Sequence, residues 1–370
     1  MQTKDISVIV QGAVKESGAL ECIKNLRTFL PGARVILSTW EGENTDGLDY
    51  DELVLNKDPG AILMELKDGQ KIYNNINRQI LSVKNAFEKV KTKYILKIRT
   101  DIQLQDAAFL DYFDKFDCRR REYSIFEKRI LNYYLFTPRY CFTNNTKVPV
   151  LFHPSDWMFF GLTKDIKKLF DIPLQHEPES TLYWAKHKKD INQADSWPAA
   201  IFRHSPEQYI FYTCIKKYLP QITFDTYMDI SREKEKLSRQ LMINNFTILD
   251  FKQWRIKMPK YQDIIGTCPV GQTSHLNWLL DYKKYCCPNY KISPAMLFSR
   301  YNKINISEVF KSQWIFLTQK FVITFFKPLY KRHVLKKYKN SPEKLKLKLQ
   351  KLEKKEGKYI YVEDRFKRKN

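Results

Sequence analysis

The stretch Tyr94-Ile95-Leu96-Lys97-Ile98-Arg99-Thr100-Asp101 constrains the fold more than any other. Ile95, Leu96 and Ile98 form a short apolar run of the kind buried in a parallel sheet. The run ends in a cation, a hydroxyl and a carboxylate, where a parallel strand would leave its sheet. Open α/β sheets bind ligands at those carboxyl ends. A carboxylate there can hold a divalent ion that bridges phosphates, and Arg99 can pair with a phosphate or orient Asp101. The same residues also read as a surface turn closed by an ordinary ion pair, so the neighbouring segments must decide.

Those segments supply the rest of a nucleotide-binding half. Residues 6–10 read as a buried first strand and Gln11-Gly12-Ala13 as a turn. Leu20, Ile23, Leu26 and Leu30 share one helical face, and Pro31-Gly32 ends the helix. Residues 34–38 and 53–55 read as a second and a third strand. Strands alternating with a helix predict a parallel sheet with right-handed crossovers. The first strand-to-helix turn is where a nucleotide would rest. It carries Gly12 but no G-x-G-x-x-G, so the dinucleotide fingerprint is absent. Thr39 and Trp40 leave the second strand and can line a base pocket, although Trp40 alone reads better as a core aromatic. Asp58-Pro59-Gly60 is a turn by its chemistry, and its carboxylate can face a ligand. Ile76, Ile80, Val83, Phe87 and Val90 form a helical stripe. Asn74, Asn75, Asn77, Arg78 and Gln79 crowd its first turns, more than one cap needs, and suggest a polar helix end aimed at an anionic or sugar ligand.

Seven motifs then carry a family resemblance. In order they are Val10-Gln11-Gly12, Leu37-Ser38-Thr39-Trp40, Asp58-Pro59-Gly60, Asn75-Ile76-Asn77-Arg78-Gln79, Lys97-Ile98-Arg99-Thr100-Asp101, His153-Pro154-Ser155-Asp156-Trp157 and Pro206-Glu207-Gln208-Tyr209. Over roughly the first 210–290 residues the chain resembles the WavE-type lipopolysaccharide synthesis family of bacterial glycosyltransferases. The resemblance implies an α/β fold: a GT-A-like, Rossmann-type nucleotide-sugar-binding domain with a mainly parallel sheet, followed by a helical C-terminal region. It implies transfer of a sugar from a nucleotide-sugar donor to a glycan or lipid-linked glycan acceptor, in lipopolysaccharide core, O-antigen or capsule. On this reading Gln11, Gly12, Thr39, Trp40, Asp58, Asn75, Arg78, Arg99 and Asp101 bind the donor, and Asp101 holds a divalent metal, Mn2+ or Mg2+. The chain departs from the usual D-x-D: the triplet is Asp101-Ile102-Gln103, and the second carboxylate is missing.

The acceptor side follows from the later motifs. An inverting transferase needs a base for the acceptor hydroxyl, and Asp156 is the candidate. Trp157 can stack on a sugar, Ser155 precedes Asp156 on the acceptor side, and His153 reads either as an ion ligand beside Asp101 or as a hydrogen-bonded loop histidine. Residues 158–162 read as a buried strand, 164–170 as a helix, and Tyr123-Ser124-Ile125-Phe126 as a further strand. Arg119-Arg120-Arg121 is better read as a solvated face than as a contact to a phosphorylated acceptor. Ser205-Pro206-Glu207-Gln208 satisfies every rule for a capped helix start without any chemistry. The resemblance nevertheless puts Glu207 on the acceptor side, as a second catalytic candidate. Residues 172–204 read as an insertion or acceptor loop.

The expected organisation is a transferase domain over residues 1–235, with its nucleotide-binding half over 1–103 and its acceptor half over 104–235. A mainly helical extension over 236–330 and a basic tail over 331–370 follow. Residues 246–249 read as a strand and 276–282 as a helix. The net charge is +23, and the tail holds 16 Lys/Arg against 5 Asp/Glu, nearly half of the excess. Gln313, Lys320, Thr324, Lys327 and Lys331 mark a polar stripe on an otherwise apolar helix. With the tail, residues 314–370 suggest docking on an anionic membrane surface. Residues 341–356 read as a charged helix. No run reaches about 18 apolar residues, as a spanning helix needs. Neither a signal peptide nor a disulfide framework is apparent in a chain with seven cysteines, so the expected setting is cytoplasmic, peripheral on the cytoplasmic face of the inner membrane. Two other readings compete: a non-catalytic membrane-peripheral scaffold of a glycan assembly complex, and a nucleic-acid-binding protein. The second lacks any recognition-fold signature and keeps its charge in a tail poor in aromatics, so no nucleic-acid partner is expected.

Overall fold

Ile6, Val8, Ile9 and Val10 are all fully buried, so the strand they form, β1 (Ile6–Gln11), is covered on both faces and lies mid-sheet. The computed structural model describes residues 1–14, 18–65, 71–143, 146–183, 202–266, 269 and 271–298. Around β1 lie β2 (Arg34–Trp40), β3 (Glu52–Asn56), β4 (Tyr94–Arg99), β5 (Ile130–Tyr133), β6 (Phe159–Leu162) and β7 (Phe246–Leu249). Their order across the sheet is β7-β5-β6-β4-β1-β2-β3. Every pair is parallel except those made by β6, which runs antiparallel to both β4 and β5. The protein is therefore α/β with a mostly parallel sheet. The reversal of β6 brings the segment before it, residues 153–158, to the carboxyl end of β4.

Helices cover the sheet. Between β1 and β2 runs α1 (Gly18–Phe29), with Ala19, Cys22, Ile23 and Leu26 buried; Leu20, expected on that face, is 37% exposed. Helix α2 (Ile76–Ala86) lays Ile76, Ile80 and Val83 against β1, β2 and β3. Helix α3 (Thr163–Phe170) packs on β6 and on α4 (Pro206–Tyr218). Helices α5 (Arg232–Asn245) and α6 (His275–Tyr285) pack together, and both cover β7. A short α7 (Pro294–Phe298) follows. Between α6 and the sheet lies an aromatic cluster in which Phe116 meets Trp278 at 4.7 Å and Tyr282 at 5.3 Å, centroid to centroid.

Three expectations need correction. Residues 123–126 are not a strand: Arg121–Tyr123 is a single 3-10 turn, and the strand lies further on, at β5. The Asn245 carboxamide accepts the Ile125 N–H at 2.7 Å, so a side chain takes the role of a ladder partner. Thr39 and Trp40 continue β2 instead of leaving it, pairing with Leu55 and Asn56 of β3. Position 235 falls inside α5, and β7, just beyond it, joins the central sheet. The described residues belong to one compact unit, within residues 1–301. The expected interfacial helix, the charged helix and the basic tail fall outside the described residues. Among the described residues no helix is long and apolar enough to cross a membrane.

Candidate functional site

The carboxyl edge of the sheet collects the donor-side candidates. Gln11 ends β1 and is in register with Ser38 on one side and Arg99 on the other. Gly12 follows with φ +129°, a conformation L residues rarely adopt, and a Cβ there would stand 3.0 Å from the Thr100 hydroxyl. The Thr100 hydroxyl donates to the Ala13 carbonyl at 2.9 Å and its N–H to the Gln11 carbonyl at 3.1 Å, so the turns after β1 and β4 are locked together. Beside them Arg99 meets Asp101 through two bonds, Nε to Oδ1 at 2.9 Å and Nη2 to Oδ2 at 2.7 Å.

Three polar atoms in this region are buried without a hydrogen-bond partner: Gln11 Oε1, Thr39 Oγ1 and Gln79 Oε1. Each such group costs about 1–3 kcal/mol while it stays unpaired. Groups of this kind fit a ligand that presents hydroxyl or amide donors, as a ribose, a base or a sugar does.

Asp58, Asn75 and Arg78 are held differently from expectation. Arg78 Nε donates to Asp58 Oδ1 at 2.8 Å, its Nη2 to Asp58 Oδ2, and its Nη1 to Asn75 Oδ1 at 2.8 Å. The guanidinium holds the Asp58 carboxyl below its usual range. The flanking asparagines serve structure. Asn77 exchanges two bonds with the Gln175 backbone, both at 2.7 Å, and the Asn74 carboxamide accepts the Ile76 N–H at 2.9 Å while donating to the Gln175 side chain. The crowd of asparagines is thus explained by a loop that it ties to α2.

The acceptor-side candidates converge on a buried cluster. Asp156 is 8% exposed; its carboxylate accepts from Gln79 Nε2, and its backbone carbonyl accepts from Lys97 Nζ. Lys97 is fully buried on β4, and burial pulls its pKa down to about 8 against the pull of the Asp156 charge. His153 Nδ1 lies 3.0 Å from the Phe136 carbonyl, which fixes the proton on Nδ1 and leaves Nε2 as an acceptor 3.5 Å from Glu207 Oε2. Burial pushes the His153 pKa down to about 4, so the ring is neutral. Burial first, and then the Asp156 charge, push Glu207 up to about 8. Glu207 therefore keeps its proton at neutral pH and can donate it to Nε2. The helix start that presents it is the capping box expected: Ser205 Oγ accepts the Gln208 N–H at 3.2 Å, and Gln208 Oε1 accepts the Ser205 N–H at 3.1 Å.

The other two acceptor candidates lie deeper. Ser155 is fully buried, its N–H shared between Asn132 Oδ1 and Thr137 Oγ1, each at 2.9 Å. Trp157 is 2% exposed, enclosed by Tyr133, Phe136 and Tyr261, with the Arg99 guanidinium 5.9 Å from its ring. It serves as a wall behind Arg99 rather than an open platform for a sugar. On another side of His153 a cavity of about 50 Å³ is lined by Arg139, Phe152, Arg239 and Asp281.

Lys97 is a candidate-site residue to which sequence reasoning gave no role of its own, whereas Gln79 was grouped only with the polar start of α2. The signal for Lys97 was present: a lysine between Leu96 and Ile98, in a strand buried on both faces, has nowhere to go but toward a partner. For Gln79 the signal was the polar crowd at the start of α2, which did not single it out as the partner of Asp156. Among the described residues no three His, Cys, Asp or Glu side chains cluster as a metal site. A dedicated protein cage for a metal is thus not formed by these residues. A Mg2+ bound largely by phosphates needs only one or two carboxylates, and Asp101 can supply one.

Compared with known families, the chain matches the model described as WavE lipopolysaccharide synthesis over residues 6–314, from β1 past α7. No curated protein matches it.

Proposed function

The chain belongs to the WavE lipopolysaccharide synthesis family, and from that premise we propose that it is a nucleotide-sugar-dependent glycosyltransferase of the GT-A type acting on a bacterial surface glycan. The observation that carries this reading is the pairing of Asp156 with Glu207 beside the carboxyl edge of the sheet. Glu207 lies 3.5 Å from His153, on the segment that carries Asp156, and the charge of Asp156 adds to burial in keeping Glu207 protonated. Paired acids with separated proton affinities are the usual basis of acid–base work at neutral pH.

In this mechanism the nucleotide lies across the ends of β1, β2 and β4, where Gln11, Thr39 and Gln79 have hydrogen-bonding capacity to spare. Arg99 faces the diphosphate, giving up part of its bond to Asp101. A divalent cation, when bound, would neutralise the leaving diphosphate, with Asp101 as its protein ligand. Asp156 takes the proton of the acceptor hydroxyl as that oxygen attacks the sugar. Lys97, beneath it, keeps the 156 backbone fixed through its bond to the Asp156 carbonyl. Glu207 and His153 form a neutral donor–acceptor pair on the acceptor side. Proximity of the two substrates supplies much of the rate. The mostly parallel sheet supports the GT-A assignment, and the absence of a spanning helix among the described residues is compatible with peripheral attachment through residues 314–370.

The test is transfer of label from a panel of nucleotide sugars to lipopolysaccharide or lipid-linked acceptors from cells that lack this protein. Asp156→Asn should lower turnover about 10²–10⁴-fold, the usual worth of a general base, while nucleotide binding persists. Undiminished turnover in that variant would remove Asp156 from the mechanism. A scaffold role is favoured by one observation, the complete engagement of Asp101 by Arg99. It predicts that glycan extension in cells survives both Asp156→Asn and Asp101→Asn.

A further inference from the structure

Three cysteines meet far from the carboxyl edge, where the loop after Phe116 packs on the end of α6. Cys118 is exposed, while Cys286 and Cys287 are partly buried. The Cys118 and Cys287 thiols are near neighbours, each the strongest influence on the other's proton affinity. Tyr282 pins both backbones: its phenol accepts the Cys118 N–H at 3.2 Å, and its carbonyl accepts the Cys287 N–H at 2.9 Å. Cys286 is held apart from the pair. Its sulfur accepts from Arg129 Nη2 at 3.6 Å and lies 3.5 Å from Asn244 Oδ1. Arg129 spends its remaining donors on the carbonyls of Phe116, Cys118 and Ile243, at 2.6–2.7 Å, so the Cys118 loop is clamped in place.

We infer that Cys118 and Cys287 form a dithiol site that two-electron oxidants, hydroperoxides in particular, convert to an intramolecular disulfide. An exposed thiol beside a resolving thiol is the arrangement of a redox-reactive pair. The neighbouring Cys287 thiol, and next Tyr282, also hold the Cys118 thiol below its ordinary pKa, which favours the thiolate nucleophile. The chemistry balances. The Cys118 thiolate attacks the peroxide oxygen, the O–O bond breaks, and an alcohol or water leaves with a solvent proton. The resulting sulfenic acid is attacked by the Cys287 sulfur and expels water. Two thiols are oxidised, one peroxide is reduced, and the disulfide joins the loop after Phe116 to the end of α6. The inference does not depend on glycosyl transfer.

The test exposes the full-length protein to hydrogen peroxide, alkylates the remaining thiols and maps peptides by mass spectrometry. The expected result is loss of two alkylatable thiols and a cross-linked peptide pair containing Cys118 and Cys287. Cys286→Ser should leave that cross-link intact. In Cys287→Ser, Cys118 should stop at sulfenic acid, trapped by dimedone, or proceed to sulfinic acid. Two results would overturn the inference: Cys118 and Cys287 both remaining alkylatable after peroxide, or Cys118 cross-linking to Cys286 in the wild-type protein.

Discussion

Glu207 shows how one residue changes meaning between sequence and structure. In the sequence its surroundings are those of a helix start, and nothing local demands more. In the fold it is 14% exposed and faces His153, with its pKa at about 8 instead of the ordinary 4.5. The consequence for stability has a definite sign. Below about pH 4.5 folded and unfolded chains both hold the proton. Between about 4.5 and 8 the folded state keeps it while the unfolded state releases it, so this group's contribution falls as pH rises and levels off above 8. Glu207→Gln should remove that slope, which urea unfolding at several pH values across the window would read; a variant with the wild-type slope would show that Glu207 is not held protonated. Asp156 was singled out as a carboxylate just before an apolar strand, next to a His and a Trp, and by the family resemblance; the fold places it beside Gln79 and Lys97. Ser155 and Trp157 beside it were singled out on the same grounds, yet they are buried among Asn132, Thr137 and aromatic rings. Burial depth has no marker in a pentapeptide.

At the scale of elements, the regular structure near the site was legible and the irregular structure was not. The apolar runs of β1, β2, β3, β4, β6 and β7 announce themselves, as do the stripes of α1 and α2 and the capped start of α4. The 121–126 segment misled because Tyr, Ile and Phe favour strands, whereas Asn245 and the Asp165 carboxylate take up the N–H groups of Ile125, Glu127 and Lys128 from outside any sheet. Such partners lie 37 to 120 residues away and leave no local trace. The capping box of α4 makes a testable link from element to site. Ser205→Ala should cost about 1 kcal/mol in unfolding free energy. Because Glu207 is two residues past the cap, the variant should also lose turnover beyond what its stability loss explains. A destabilised variant with full turnover per folded molecule would separate the cap from the site.

Across the whole molecule, buried neutral histidines link fold to pH. His153, His204 and His275 are at most 6% exposed, and each lies 2.8–3.1 Å from a backbone carbonyl: Phe136, Phe224 and Ile248 in turn. Burial holds each pKa at about 4 against the ordinary 6.5. The unfolded chain takes up protons below about 6.5 while the folded chain does not, so stability should fall as pH drops from about 6.5 toward 4. Calorimetry should register uptake of about three protons on unfolding near pH 5, less the proton that Glu207 contributes in the opposite sense. No such uptake would mean these rings titrate freely. The central claim concerns the carboxyl edge of the same sheet, and it is tested most directly by melting the purified protein with a panel of nucleoside diphosphates and nucleotide sugars, with and without Mn2+, beside Asp101→Asn. A ligand that binds only the folded state raises the melting temperature. A transferase should show a rise with one nucleotide class, larger with Mn2+ and diminished in Asp101→Asn. A melting temperature that no nucleotide moves, with or without metal, would contradict the glycosyltransferase reading and leave the scaffold in its place.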